Sequence, residues 1–178
     1  MKKLVSRCMA VLMAMTMILS MSMIAFAAEA PTGKLTVNNT VAGKNLDLYQ
    51  IFTATKSGEN VAYTLNSAYE GFFQSKITNA STLTGEALSE KAYDYVKTQV
   101  GTDGSNGAAF AKDMLGWILD SKNNITATKT VVTTAPSTQI SDLAYGYYLV
   151  YPKGATDTST APGNQTYTSA ASLVSITA

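Results

Sequence analysis

The segment Tyr145-Gly146-Tyr147-Tyr148-Leu149-Val150-Tyr151 decides the fold of this chain. Its aromatic and β-branched residues predict a β-strand. Because side chains alternate between the two faces of a strand, we expect Tyr145, Tyr147 and Tyr151 on one face and Tyr148 on the other. Part of this set is therefore predicted to enter the core. Aromatic rings that stay at the surface could stack against sugars or protein partners.

Further strands are indicated on both sides of this segment. Residues 34–54 contain two β-rich runs around a Gly-containing turn, which predicts a hairpin. Residues 61–65 form a further short strand, which follows a turn over residues 56–60. The β-branched run 126–134 and the alternating segment 167–177 complete the predicted strands.

The middle of the chain changes to helical periodicity. From residue 86 onward, Leu88, Ala92 and Val96 recur at helical spacing, with charged residues mainly on the other faces. A second apolar stripe, which begins with Phe110 and Met114, follows the turn over residues 103–107. Two amphipathic helices are therefore predicted between the early and the late strands.

The order of strands, two helices and strands predicts the fold class. We expect a mainly β protein, an immunoglobulin-like antiparallel β-sandwich with a two-helix insertion. About 150 residues are enough to bury one core. Residues 28–178 are therefore expected to form a single domain.

Residues 1–27 have the three parts of a cleavable secretory signal. A short basic stretch precedes an apolar run over residues 8–26, and this run ends in small residues. We expect signal peptidase to cleave the bond between Ala27 and Ala28. The alternative is a retained membrane anchor, because the run approaches the ~20 residues that span a bilayer. Polar residues within the run favour cleavage, and we expect a secreted protein with no membrane contact afterwards.

Removal of this signal restricts the chemistry of what remains. The only Cys is Cys8 and the only Arg is Arg7, and the chain has no His. The remaining 10 Lys and 12 acidic residues give a net charge of −2. Disulfides, the usual zinc sites and Ser-His or Cys-His nucleophiles are thereby excluded, and nothing favours nucleic-acid binding. Residues 103–107 lack the ligand spacing of a calcium loop, so we expect neither a metal nor a cofactor, and no enzyme.

Three stretches of the sequence together resemble a known family. They are Gly33-Lys34-Leu35-Thr36-Val37-Asn38-Asn39 with Gly43-Lys44, Leu48-Tyr49-Gln50-Ile51-Phe52 followed by Val61-Ala62-Tyr63, and Leu143-Ala144-Tyr145-Gly146-Tyr147-Tyr148-Leu149-Val150. In their order and spacing they look like the N-terminal domain of Gram-positive sortase-assembled pilin backbone subunits, the isopeptide-forming fimbrial proteins. The resemblance covers residues 33–178.

This resemblance implies a subunit of a bacterial surface fibre. Its partners would be other pilin subunits and a sortase that joins subunits through Lys, and the fibre could also contact ligands on host or bacterial surfaces. The chain has no Leu-Pro-x-Thr-Gly sorting signal and no C-terminal hydrophobic span. It therefore looks like a first domain of a pilin whose partner domains have been cut away or lost.

Some domains of the family contain an internal Lys–Asn isopeptide bond. The reaction needs a buried Lys amine, an Asn or Asp carbonyl and a nearby carboxylic acid that relays protons. Here Lys34 would be the amine, with Asp142 or Asp47 as a displaced acid, because the position after Val150 is Tyr151 rather than an acid. The alternative is that Lys34 is a solvated residue that protects a strand edge.

The resemblance also suggests which Lys a sortase would use. In the family the acceptor ends the motif Trp-x-x-x-Val-x-Val-Tyr-Pro-Lys, and Val150-Tyr151-Pro152-Lys153 matches its last four positions. Ala144 and Tyr148 stand where the motif has Trp and Val. Lys153 is the candidate acceptor, and the alternative is that Pro152 ends a strand and Lys153 begins a loop.

Two functions from different classes remain open. The first is a structural or adhesive surface module of pilin type. The second is a secreted carbohydrate- or protein-binding module that acts alone. A hydrolase with paired acids is disfavoured, because the acidic residues are scattered over the predicted helices and loops.

Overall fold

The computed structural model describes residues 31–101, 106–153 and 171–177. These residues form a mainly β protein with two antiparallel sheets and three α-helices. In chain order the elements are β1 (Thr32–Asn38), β2 (Asn45–Ser57), β3 (Asn60–Leu65), a 3₁₀ turn (Ser67–Tyr69), α1 (Glu70–Lys76), α2 (Gly85–Val100), α3 (Gly107–Leu119), β4 (Lys129–Val132), β5 (Ser137–Ala144), β6 (Gly146–Pro152) and β7 (Ser172–Ile176).

Strand β2 is the centre of the larger sheet. Residues 46–53 of β2 pair with β6, residues 52–57 with β3, and residues 45–48 with β4. Positions of β2 that pair on both sides show that β3 and β4 lie along the same edge, opposite β6. Strand β7 pairs with the far edge of β6. The smaller sheet contains β1 and β5.

A β-bulge in β2 determines which side chains enter which core. Ile51 is the extra residue between Gln50 and Phe52 and has no partner on β6. The buried side chain of Gln50 supports the bulge, because its Nε2 donates to the backbone oxygen of Tyr145 at 3.1 Å. Ile51 and Phe52 consequently pack in the same core, although successive residues of a regular strand face opposite sides.

The two faces of the larger sheet border different cores. The helices and one face of the sheet enclose the helix-side core, and β1, β5 and the other face enclose the strand-side core. Fully or nearly fully buried members of the helix-side core include Phe52, Phe72, Phe73, Leu88, Phe110, Met114 and Leu149. The buried members of the strand-side core are Leu46, Leu48, Ile140, Leu143, Tyr148, Val150 and Ile176.

Helix α2 covers part of the edge of β3. The buried hydroxyl of Ser89 accepts a hydrogen bond from the backbone N–H of Leu65 at 2.8 Å and donates to the backbone oxygen of Tyr63 at 3.5 Å. An edge strand exposes unpaired backbone groups that invite pairing with another chain. Ser89 therefore protects this end of β3 while the apolar stripe of α2 packs into the helix-side core.

The predicted mainly β, antiparallel character is confirmed, whereas the hairpin over residues 34–54 is wrong. Strand β1 pairs with β5, and β2 pairs with β3, β4 and β6. Leu35 and Val37 of β1 instead pack in the same core as Leu46 and Leu48 of β2. The two strands thus face each other across a core, an arrangement that shows the same apolar alternation as a hairpin.

The number of helices is also corrected. The sequence predicted two helices, and both are present as α2 and α3, but α1 adds a third. Phe72 and Phe73 of α1 are completely buried. The helix has 7 residues, so it is too short to show two turns of apolar periodicity, which explains why the pattern did not reveal it.

Among the later strands, β5 was not predicted at all. Its sequence is largely polar, and a shift of register between Gly33 and Leu35 of β1 places Lys34 opposite two residues, Ser141 and Asp142. This irregularity interrupts the alternation that reveals a strand. The predicted strand over 126–134 is confined to Lys129–Val132, and only Ser172–Ile176 of the segment 167–177 is seen as a strand, since residues 167–170 lie outside the described part.

Candidate functional site

Lys153 lies directly after β6, at the end of the larger sheet where β2 begins. Its backbone N–H donates to the backbone oxygen of Asn45 at 2.8 Å, so the main chain at Lys153 is fixed by the sheet. Its side chain remains 62% exposed. The arrangement combines a rigid backbone with an accessible amine. A reagent or enzyme could therefore reach this amine without any movement of the sheet.

The partner of the Lys153 amine is a buried carboxylate. Asp47 lies on β2 between Thr130 of β4 and Tyr151 of β6, and its side chain is only 6% exposed. The hydroxyl of Thr130 donates to Oδ1 of Asp47 at 2.6 Å, and Oδ2 lies 3.8 Å from Nζ of Lys153. A buried carboxylate needs such partners, because its transfer out of water is costly.

The Asp47 charge also acts on a neighbouring phenol. The pKa of Tyr49 is raised, first by burial and then by the negative charges of Asp47 and of ionised Tyr151. The ion pair with Lys153 contributes little to stability, since pairs with one exposed partner are worth about 0–1 kcal/mol. Its main consequence is geometric, because it draws the Lys153 amine toward the fixed carboxylate at the end of the sheet.

The residues proposed for an internal isopeptide bond do not meet in one buried site. Lys34 is exposed in β1, and the irregular register places it opposite the exposed pair Ser141 and Asp142. Asp47, the other candidate acid, is instead paired with Lys153. The structure thus brings Lys34 near Asp142 in the strand ladder, but at the surface, whereas the reaction requires a buried amine.

A second candidate site is an aromatic groove formed by Phe52, Tyr63, Tyr93, Lys97 and Tyr147. These residues come from β2, β3, α2 and β6, and they surround a cavity of about 210 Å³. The rings of Tyr63 and Tyr93 stack with centroids 5.2 Å apart and an interplanar angle of 17°. Tyr147 meets Tyr63 edge to face at 6.4 Å.

Polar groups stand among the rings of the aromatic groove. The hydroxyls of Tyr63 and Ser175 lie 2.6 Å apart, which ties the groove to β7. Nζ of Lys97 lies 5.4 Å from the centroid of the Tyr93 ring. The pKa of Tyr147 is raised by burial and, to a smaller extent, by Tyr63 and Tyr93, so the three phenols are close enough to interact.

The predicted tyrosine cluster is divided between the two cores. Tyr147 and Tyr151 pack on the helix-side core, while Tyr145 and Tyr148 pack on the strand-side core. The prediction is therefore correct for three of these residues and wrong for Tyr145. Tyr145 lies in the bend between β5 and β6, outside the regular alternation of β6. Tyr147 is the member that reaches the aromatic groove.

The sequence did not predict either the Asp47–Lys153 pair or the aromatic groove as units. One signal for Asp47 was available, because it is the only charged residue in the apolar run from Leu46 to Phe52. A lone charge in such a run indicates a buried group with a specific partner. For the groove, the pattern contained no equivalent signal, since its rings come from separate elements.

The expected cleavage site at Ala27 and Ala28 and the whole segment 1–27 lie outside the described residues. None of the helices in the described part of the chain is long and apolar enough to cross a membrane. Within 31–101, 106–153 and 171–177, no group of three or more His, Cys, Asp or Glu side chains could hold a metal ion.

No family model matches the chain, and no curated protein sequence matches it either.

Proposed function

We propose that this chain is a non-enzymatic module of a Gram-positive surface fibre, a pilin-type domain that is exported and mediates contacts between subunits. In this proposal the two sheets correspond to an immunoglobulin-like β-sandwich, with the three helices inserted between β3 and β4. Lys153 is the acceptor that a sortase uses to join the chain to a neighbouring subunit. The sequence resemblance supports this proposal, and the position of Lys153 is the structural observation that carries it.

The chemistry of the acceptor step makes simple demands on Lys153. Its neutral amine attacks an acyl group held by the sortase, and a C–N bond forms as the bond between the acyl group and the enzyme breaks. The departing group of the enzyme takes up the proton that the amine loses. Such a nucleophile must be accessible and held in place. Lys153 satisfies both demands, through its exposed side chain and through its backbone hydrogen bond to Asn45.

Asp47 supports the same role for Lys153. Because the carboxylate is buried and bonded to Thr130, it occupies a fixed position and attracts the Lys153 amine, which lies 3.8 Å away. Lys44, by comparison, is an exposed Lys at the same end of the sheet that has no ion pair with a carboxylate in the described part of the chain. It therefore offers a matched control.

Incubation with a pilin-type sortase and a peptide that carries a Leu-Pro-x-Thr-Gly signal tests this proposal. We expect a covalent adduct on the unmodified protein, loss of at least nine-tenths of it in Lys153→Ala, and full yield in Lys44→Ala. Intact mass and peptide mapping identify the modified Lys. An adduct that persists in Lys153→Ala, or the absence of any adduct, contradicts the proposed acceptor.

The second function, a secreted binding module, is favoured by one specific observation. The aromatic groove is a concave site with apolar walls and a few polar groups, as ligand-binding sites commonly are. Binding there would not require Lys153, so the two functions can be tested separately.

A further inference from the structure

The walls of the aromatic groove suit a ligand with C–H groups on its surface. Phe52, Tyr63 and Tyr147 provide aromatic surface, and Val96 and Val100 of α2 extend the apolar wall. Aromatic rings make favourable contacts with the weakly polarised C–H groups of a partner. Tyr93 is 37% exposed and is one of four large apolar or aromatic side chains that are exposed in the described part of the chain. The groove therefore exposes aromatic and apolar surface to water, and a ligand could cover this surface.

The hydroxyl groups of the groove are available for hydrogen bonds. Within the residues that the structure describes, the hydroxyls of Tyr93 and Tyr147 have no hydrogen-bond partner, whereas that of Tyr63 is paired with Ser175. A phenol can both donate and accept. A ligand that carries several hydroxyl groups would pair with them, and an aliphatic ligand would leave them unpaired if it displaced their water.

The positive charge of Lys97 at the edge of the groove favours, among ligands with hydroxyl groups, those that are acidic. Lys97 is exposed, and among the described residues its ammonium is paired with no carboxylate. It lies four residues after Tyr93 on α2, on the same side of the helix. A carboxylate on the ligand would form a charge-assisted hydrogen bond with this amine, which is stronger than a bond between neutral groups.

The cavity volume limits the size of the ligand. At about 210 Å³ it is smaller than the roughly 300–1,000 Å³ that encloses a drug-sized molecule. One six-membered ring with its substituents is the appropriate size. We propose that the aromatic groove binds an acidic pyranose, a hexuronic acid residue of a glycan, with its ring against Tyr63 and Tyr147 and its carboxylate on Lys97. This inference holds whether the protein is part of a fibre or acts alone.

Titration of the chain with methyl β-glucuronide tests the proposal, with the NMR signals of the aromatic rings as the readout. We expect the signals of Tyr63, Tyr93 and Tyr147 to shift, with a dissociation constant on the order of 1 mM for a single sugar. Methyl β-glucoside has a neutral hydroxymethyl group in place of the carboxylate, and we expect it to bind about tenfold more weakly.

Two variants on the same helix separate the role of Lys97 from a general charge effect. Lys97→Gln should weaken the glucuronide about tenfold and leave the glucoside unchanged. Lys91→Gln removes an exposed Lys from another part of α2 and should change neither affinity by more than about twofold. The near-ultraviolet circular dichroism of each variant checks that the aromatic packing is intact. Equal binding of the two glycosides, or equal effects of the two substitutions, overturns the proposal.

An acidic peptide is the competing occupant. If an acetylated Asp-Gly dipeptide displaced the glucuronide at equal concentration, the groove would recognise a carboxylate rather than a sugar, and the proposal would be wrong. The absence of any ring shift at saturating glucuronide would also overturn it. The sortase reaction at Lys153 is measured independently, so failure of sugar binding does not bear on the fibre proposal.

Discussion

The two cores on opposite faces of the larger sheet differ in chemistry. Buried rings dominate the helix-side core, where Phe72 makes edge-to-face contacts with Phe73, Phe110 and Trp117 at centroid distances of 5.2–6.0 Å. The buried members of the strand-side core are aliphatic except for Tyr148, with the partly buried Tyr145 packed against them. Edge-to-face pairs add about 0.5–1.5 kcal/mol each beyond the burial of their area. The helix side should therefore carry more of the stability per residue.

This difference also explains where a binding surface can form. The ring network of the helix-side core extends without interruption from Phe73 through Phe52 to Tyr147 and Tyr93 in the aromatic groove. The groove is thus the exposed border of a rigid core rather than a loop feature. In the described residues, the strand-side core has no comparable ring network, because Tyr145 and Tyr148 are its only aromatic members.

The largest expected effect compares one truncation in each core. Phe72→Ala removes a completely buried ring and its edge-to-face contacts, and we expect a loss of about 4 kcal/mol in the free energy of unfolding. Ile140→Ala in β5 should cost about 2 kcal/mol, because a two-stranded layer can partly collapse onto the space. Urea unfolding curves provide both values, with Leu119→Ala, 54% exposed, as a control expected within about 0.5 kcal/mol of the parent. A larger cost for Ile140→Ala would contradict the comparison.

The second prediction concerns the bulge in β2, the strand that contributes side chains to both cores. An added Cβ at Gly146 would lie 2.4 Å from the backbone oxygen of Phe52 and 2.7 Å from Nε2 of Gln50. Because a backbone atom cannot move aside, Gly146→Ala should destabilise the fold by about 3 kcal/mol. In the same assay, Gly116→Ala on α3 should stabilise the fold by about 0.5–1 kcal/mol, because no atom other than its chain neighbours and the backbone of its own helix lies within 4 Å of an added Cβ. A neutral Gly146→Ala would show that the bulge is not fixed.

Local pattern was sufficient for the elements that follow one regular period. The apolar stripes of α2 and α3 and the aromatic strand β6 were predicted because buried positions recur in them at the regular spacing of a helix or a strand. The turn before β3 was also correct, and Gly58 there has a φ of 60°, which favours Gly. The short helix α1 and the irregular strand β5 lack such repetition.

Pairing across the chain could not be predicted in the same way. The hairpin over residues 34–54 failed because apolar alternation does not distinguish a hydrogen-bonded neighbour from a strand on the other side of a core. The candidate sites were not predicted for the same reason, because they depend on contacts between distant parts of the chain. Asp47 meets Lys153 only when β2 and β6 align. Tyr63 likewise meets Tyr93 only when α2 covers β3. The sequence identified Lys153 and Tyr147 as residues of interest, but not the partners that give each its environment.

The smallest expected effect appears at alkaline pH and again distinguishes the two faces. Burial is the main cause that raises the pKa of three phenols on the helix side, Tyr49, Tyr69 and Tyr147. On the strand side, burial raises the pKa of Tyr148. Above pH 10 the unfolded chain loses phenolic protons that the folded protein keeps, so the free energy of unfolding falls as pH rises. Below pH 10 both states keep these protons, and this contribution does not change with pH.

Urea unfolding at pH 9, 10 and 11 measures this slope. Each phenol that remains protonated in the folded state contributes at most about 1.4 kcal/mol per pH unit, so Tyr69→Phe should reduce the fall between pH 10 and 11 by about 1 kcal/mol. At pH 7 the same variant reports only the loss of the hydroxyl and any change in packing, which separates the two effects. Tyr49→Phe with Tyr69→Phe should flatten the curve more than Tyr148→Phe, because two raised phenols are removed instead of one. If Tyr148→Phe alone abolished the alkaline loss, the strand-side core would be the one that limits stability at high pH.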